Sequence, residues 1–204
     1  MATSCPVGLD TKKLRDEIQF IYARVAADPN GDFHFHRGPA YAAEFLGYDA
    51  AELAALPPES TTSFAGVANP HAIARIEPGA TVLDIGCGAG MDLLLAARRT
   101  GPKGRAIGVD MTPAMVDKAR AAALSAGLAN VEVRLGDALE LPVEDASIDV
   151  VISNGVINLT PDKDKAYAEI WRVLRPGGRL QLGDILVANE LSEDTRNNID
   201  LWTG

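Results

Sequence analysis

The sequence predicts an α/β fold, a doubly wound and mostly parallel sheet of strand order 3-2-1-4-5 beneath a helical N-terminal cap. Three observations carry that prediction. From Thr81 onward, short β-branched runs alternate with helical patterns, as βαβ winding with right-handed crossovers requires. Before Thr81, apolar residues recur at helical spacing, with no strand pattern among them. At the change of regime stands Val82-Leu83-Asp84-Ile85-Gly86-Cys87-Gly88-Ala89-Gly90, a buried strand that runs into a glycine turn and then a helix.

In the cap, residues 1–10 read as a polar tail carrying Cys5. Leu14, Ile18, Ile21, Tyr22 and Val25 then mark a helix over 11–27, stopped by Asp28-Pro29-Asn30-Gly31-Asp32. Phe33-His34-Phe35-His36-Arg37 follows as a short aromatic segment. Helices are expected over 40–46 and 50–56, then a loop over 59–68. Asn69-Pro70, an N-cap followed by proline in the first turn, predicts a helix through 76. Residues 1–76 thus form a cap without a sheet of its own, and 77–204 form the sheet domain.

In that domain, strands are expected over 81–85, 105–109, 131–135, 148–153 and 179–187. Helices are expected over 90–99, 113–126 and 162–174. Thr112-Pro113 is a helix start, and Arg175-Pro176-Gly177-Gly178 is a sharp helix stop before the fifth strand.

Composition narrows the function. With 28 acidic against 19 basic residues, the chain carries a net charge of −9 and shows no basic stripe, which argues against a nucleic-acid surface. Two widely separated cysteines provide neither a disulfide framework nor a CxxC metal knuckle. No apolar run approaches the roughly 18 residues of a membrane span, and the N-terminus lacks a signal-peptide core. A cytoplasmic protein without a membrane partner is expected.

The glycine turn offers close backbone approach and a helix N-terminus to a ligand. Its spacing is G-x-G-x-G, with Met91 where a dinucleotide fingerprint has its third glycine, and no Gly-Lys-Ser/Thr is present. That disfavours a nicotinamide or flavin dinucleotide and excludes a P-loop. Its companions fall at strand ends. Asp84 closes the first strand. Asp110 closes the second, where a carboxylate accepts from both ribose hydroxyls. Gly136-Asp137-Ala138 follows the third, where a carboxylate can meet an adenine amino group, and Asn154 closes the fourth. Each has a plainer role open to it: Asp84 as a helix cap, Asp137 as a turn cap, Asp110 as an ordinary strand end. Together they specify an adenosine with a charged tail and no pyrophosphate.

These stretches resemble a family. Val82–Gly90, Gly108-Val109-Asp110-Met111, Gly136-Asp137-Ala138 and Leu174-Arg175-Pro176-Gly177-Gly178 look like the successive motifs of the Rossmann-like class I S-adenosylmethionine-dependent methyltransferases, over residues 80–187. Gly108-Val109-Asp110-Met111-Thr112-Pro113, Val150 through Leu159, Pro161-Asp162-Lys163, Tyr22, Leu46-Gly47-Tyr48 and Asn69-Pro70 are similar to the arsenite methyltransferase branch. The resemblance implies S-adenosylmethionine as cofactor and a small-molecule methyl acceptor. It implies that Asp110 holds the ribose, Met111 packs on adenine, and Gly136, Asp137 and Ala138 flank the base. Asp84 with Gly86, Cys87, Gly88, Gly90 and Asp92 would surround the methionine end, and Tyr22, Asn154 and Val156 would line the pocket.

The sequence departs from that branch where arsenic would bind. Soft trivalent arsenic needs soft thiolate ligands. Gly155 stands where a cysteine usually follows Ser-Asn, and Phe64-Ala65-Gly66-Val67-Ala68 carries none before Asn69-Pro70. His34 and His36, two apart in an extended segment, share one side and are acceptor-pocket candidates with Gly155 and Asn158. Packed loop histidines are the other reading, and no metal site is assigned. Strands six and seven of the family sheet are expected to be missing. A helix-like 191–201 and Trp202-Thr203-Gly204 follow instead, with an uncovered fifth-strand edge that makes a homodimer a candidate. A non-catalytic cofactor-binding or regulatory module, or a partner subunit, is the alternative function.

Overall fold

The structure, a computed structural model, describes residues 10–186. Cys5 and the helix-like stretch 191–201 lie outside them. Five strands form one sheet: β1 (Thr81–Ile85), β2 (Arg105–Asp110), β3 (Val131–Leu135), β4 (Ile148–Asn154) and β5 (Leu174–Gly183). Their order is β3-β2-β1-β4-β5, and every pairing is parallel. The predicted fold class and order hold. Winding reverses between β1 and β4, so the loops leaving those two strands open a crevice at their carboxyl ends.

Strand alternation builds two cores. Val82, Ala106, Val150 and Ile152 face one side, against α5 (Met91–Thr100) and α6 (Pro113–Ser125). Leu83, Ile107, Val109 and Val151 face the other, with Ala166, Ile170 and Val173 of α7 (Lys163–Val173). On α5, Met91 through Ala97 are buried all round. The cause is a second neighbour: Leu94 and Leu95 pack against Ala42, Tyr48, Leu53, Leu56 and Phe64 of the cap. The helix carrying the glycine turn is therefore clamped between sheet and cap.

The cap contains α1 (Thr11–Ala27), α2 (Gly38–Leu46), α3 (Ala50–Ala54) and α4 (Pro58–Thr61). The short α4 occupies part of the expected 59–68 loop, with proline in its first turn, where a missing N–H costs nothing. The helix expected over 69–76 is only a 3-10 turn, Pro70–Ala72. Asn69 caps it as read, accepting the His71 N–H at 3.1 Å. At the other end of the chain, β5 starts at Leu174 rather than 179 and stops at Gly183 rather than 187. Leu174 already pairs with Ile148, and the register resumes with Arg179 opposite Val150. The expected helix stop, residues 175–178, is thus an irregularity inside the strand. A second 3-10 turn, Ile157–Leu159, follows β4 and was not legible in advance.

Because Leu94 is fully buried between α5 and the cap, Leu94→Ala is expected to lower the unfolding free energy by about 2–5 kcal/mol. Urea denaturation followed by circular dichroism measures this.

Candidate cofactor site

The glycine turn is built for close approach. Gly86 has φ +68 and Gly88 φ +52, both left-handed. A Cβ on Gly86 would overlap the Val156 side chain, whereas one on Gly88 would meet nothing within 4 Å. One glycine is required by packing, and the other leaves its face open. Backbone N–H groups of Gly86 and Cys87 donate to the Val109 carbonyl at 2.8 and 3.1 Å, which ties the turn to β2. Gly90, at φ +97, caps α5 and packs on Ala119.

Three carboxylates are buried around this turn. Asp110 accepts from the Gly88 N–H at 2.9 Å and the Thr112 N–H at 2.8 Å. Burial raises its pKa, and those two N–H groups oppose the rise. Asp92 has both oxygens occupied, by the Tyr48 hydroxyl at 2.7 Å and the Asn154 amide at 3.0 Å. Asp84 differs. It is 2% exposed, and its Oδ2 has no hydrogen-bond partner. Burial foremost, then Asp92 and Asp110, hold its pKa well above the ordinary 3.8.

These residues line one cleft of about 1150 Å³, counting space that opens to solvent. Of the sequence candidates it gathers Tyr22, Asp84, Gly86, Cys87, Gly88, Asp92, Asp110, Met111, Gly136, Asp137, Ala138, Asn154, Gly155 and Val156. Others stay outside. Gly90 lies behind the turn. His34 and His36 are exposed, edge-on to Phe35 and stacked on Tyr41 respectively. Asn158 is not among the lining residues, and its backbone N–H donates to Asp184 at 3.0 Å. Among the described residues, no three His, Cys, Asp or Glu side chains converge on a metal position.

The roof of the cleft was missed from sequence. Thr11, Arg15, Ile18 and Tyr22 of α1 all line it, at the four-three-four spacing of a single helix stripe. Tyr22 alone had been singled out, and that spacing contained the others. Arg15 forms an ion pair with Asp137, and Gln19 donates to the Met111 carbonyl at 2.8 Å. Opposite, Phe64, Ala65, Gly66, Leu159, Thr160 and Pro161 continue the wall past the β1–β4 crevice. Leu159 and Pro161 belong to stretches that the family resemblance covers, whereas Phe64, Ala65, Gly66 and Thr160 belong to no motif and are placed by tertiary packing alone.

This arrangement fits S-adenosylmethionine. Asp84 presents an unpartnered buried oxygen beside an open glycine turn, and Asp110 stands at the end of β2. Comparison with known proteins agrees. A family profile described as a methyltransferase domain matches residues 76–203. The chain belongs to the methyltransferase domain family. An arsenite methyltransferase of Halobacterium salinarum is 46% identical over 165 residues, covering 81% of this chain and 42% of that protein. The nocamycin O-methyltransferase of Saccharothrix syringae is 42% identical over 105 residues, covering 52% of this chain and 38% of that one. Among solved structures, an arsenic(III) S-adenosylmethionine methyltransferase from Chlamydomonas reinhardtii superposes with a TM-score of 0.66 at 39% identity. It covers 71% of this chain and 51% of that one. The chain therefore spans about half the length, or less, of these relatives. It is a class I, arsenite methyltransferase-like member of its family.

Within this methyltransferase domain, Cys87 is 7% exposed, and its thiol hydrogen faces the Gly88 carbonyl at 3.8 Å. Burial, then Asp110 and Asp84, push its pKa well above 9.0, so it stays a neutral thiol. Tyr22, pushed up to about 12 by burial and by Asp110, keeps its phenol proton at neutral pH.

The raised Asp84 pKa has a sign that can be checked. A carboxyl easier to protonate folded than unfolded favours the fold below the ordinary 3.8, and that contribution is lost as pH rises toward the folded value. At pH 7, Asp84→Asn is expected to raise the melting temperature of the ligand-free protein. The same variant should lose the stabilisation that S-adenosylhomocysteine gives the wild type. Melting curves with and without that ligand, between pH 4 and pH 8 or so, read both effects.

Proposed function

We propose that this methyltransferase domain, residues 77–204 under a cap of residues 1–76, transfers a methyl group from S-adenosylmethionine to a small-molecule acceptor. The observation that carries the reading is the single unpartnered carboxylate oxygen of Asp84, buried in a glycine-turn cleft between β1 and β4. Asp84 would take the ammonium of the methionine end, and the open face of Gly88 would let the backbone approach. Asp110 would accept from the ribose hydroxyls. Met111, Asp137 and Ala138 would surround the adenine under the roof of α1.

Bound there, S-adenosylmethionine supplies a sulfonium methyl that moves by in-line displacement. The chain contributes orientation and a dry wall: Phe64, Val156 and Leu159 line the path beyond the crevice. No side chain in the cleft is assigned as a base, because Tyr22 keeps its proton and His34 and His36 lie outside.

The relatives named as arsenite methyltransferases favour an arsenical acceptor. The described residues supply no thiolate for it, since Cys87 is buried beneath the turn as a thiol. An arsenical would have to arrive with its own thiol ligands, such as glutathione. The acidic balance of −9 supports a protein without a nucleic-acid partner, and we place it in the cytoplasm.

Calorimetry with S-adenosylhomocysteine is expected to show binding that Asp110→Ala weakens at least tenfold, since a hydrogen bond to a charged group contributes about 1.5–3 kcal/mol. Unchanged affinity would sink the reading. Methyl-labelled cofactor offered with arsenite plus glutathione, and with thiol and hydroxyl acceptors, then identifies the acceptor.

A further inference from the structure

Asp92 opens the first turn of α5, two residues past Gly90, and is 6% exposed. Tyr48 and Asn154 satisfy its oxygens, and His71 Nε2 lies 3.3 Å from Oδ1. Among the described residues its ion-pair contact is His71, so dipoles and one imidazole face a buried carboxylate. Asn154 also holds the cap. Its Oδ1 accepts the Val67 and Ala68 N–H groups at 2.8 and 3.0 Å, and its Nδ2 donates to the Ala68 carbonyl at 2.7 Å.

Counting protons makes the cluster a discrete device. Tyr48 has one hydroxyl proton and two acceptors, Asp92 Oδ1 at 2.7 Å and the Ala68 carbonyl at 3.1 Å. Asn154 has two amide protons and three acceptors: Ala68, Asp92 and, at 3.1 Å, the Tyr48 oxygen. With Asp92 in place, the shortest contacts give Tyr48 to Asp92 and divide Asn154 between Asp92 and Ala68. Moving Asp92 frees the Tyr48 proton for Ala68 and changes the load on Asn154. These distances therefore allow two proton arrangements for the bonds to residues 67 and 68.

Close packing makes that segment sensitive. A Cβ on Gly66 would overlap the Asn154 amide, and one on Gly183 would overlap Ala68. Gly66 and its neighbours Phe64 and Ala65 line the cleft, on the wall that the proposed function gives to the acceptor.

We infer that Asp92 is a positioning residue that carries cofactor occupancy of the glycine turn to the acceptor wall at 66–68, through Tyr48 and Asn154. This rests on the proposed S-adenosylmethionine site. A ligand that stiffens residues 86–90 also stiffens the first turn of α5, and with it Asp92. Asp92 then selects one of the two proton arrangements.

Amide exchange at Val67 and Ala68, followed by NMR with and without S-adenosylhomocysteine, tests the inference. In the wild type, saturating ligand is expected to slow both amides about tenfold. Tyr48→Phe keeps the ring against Phe64 and His71 and removes only the hydroxyl that joins Asp92 to segment 66–68. This variant should still bind the ligand, as calorimetry reads, yet lose the ligand-dependent slowing. A merely structural role would speed exchange equally with and without ligand and leave the slowing intact, and that result overturns the inference. So does a wild type that binds the ligand without slowing these amides. A wild type that does not bind S-adenosylhomocysteine overturns the functional reading, and this coupling falls with it. If Tyr48→Phe fails to fold, the wild-type comparison with and without ligand decides alone.

Discussion

Three carboxylates buried in one cleft repel each other and lose hydration, and the site is organised by how each is compensated. Asp110 is met by two backbone N–H groups, from Gly88 and Thr112. Asp92 is met by side chains of the cap and of β4. Asp84 keeps one oxygen without a partner. The first two compensations are internal and hold the glycine turn and the cap in place. The third is missing within the cleft. A cleft with this charge pattern favours an occupant that brings a cation to the β1–β4 crevice, as a methionine ammonium and a sulfonium do.

The fold supplies these positions at little local cost. Parallel pairing puts the ends of β1, β2 and β4 side by side, so Asp84, Asp110 and Asn154 converge although they are far apart in sequence. Burying α5 on both faces fixes the turn that begins it. Cap and sheet domain therefore share one structural element, and the cap residues Tyr48 and His71 reach the same carboxylate as Asn154 of the sheet. That sharing ties the cap segment 66–68 to the helix that begins at the glycine turn.

The motif residues were readable because each stands where a short stretch demands it. Gly86 has a left-handed backbone and no room for a side chain beside Val156, and Asp110 ends a strand just before Thr112-Pro113 opens a helix. The placement of the histidines was not legible: an extended pair would put His34 and His36 on one side, but the chain bends at His34 and Phe35, and the two exposed rings pack on Phe35 and Tyr41. Arg15 and Ile18 fall seven and four residues before Tyr22 on the same helix stripe, so helical periodicity contains them.

By itself, the sequence determined the α/β winding, the strand order, the glycine turn and the carboxylates at the strand ends, because these follow from periodicity and from backbone conformations that few residues adopt. Only the tertiary structure decided which of those carboxylates is free. Asp84, Asp92 and Asp110 look alike in the sequence, and their difference lies in partners as distant as Tyr48 and Asn154. Burial and hydrogen bonding between remote segments are properties of the packed chain, and no local pattern encodes them.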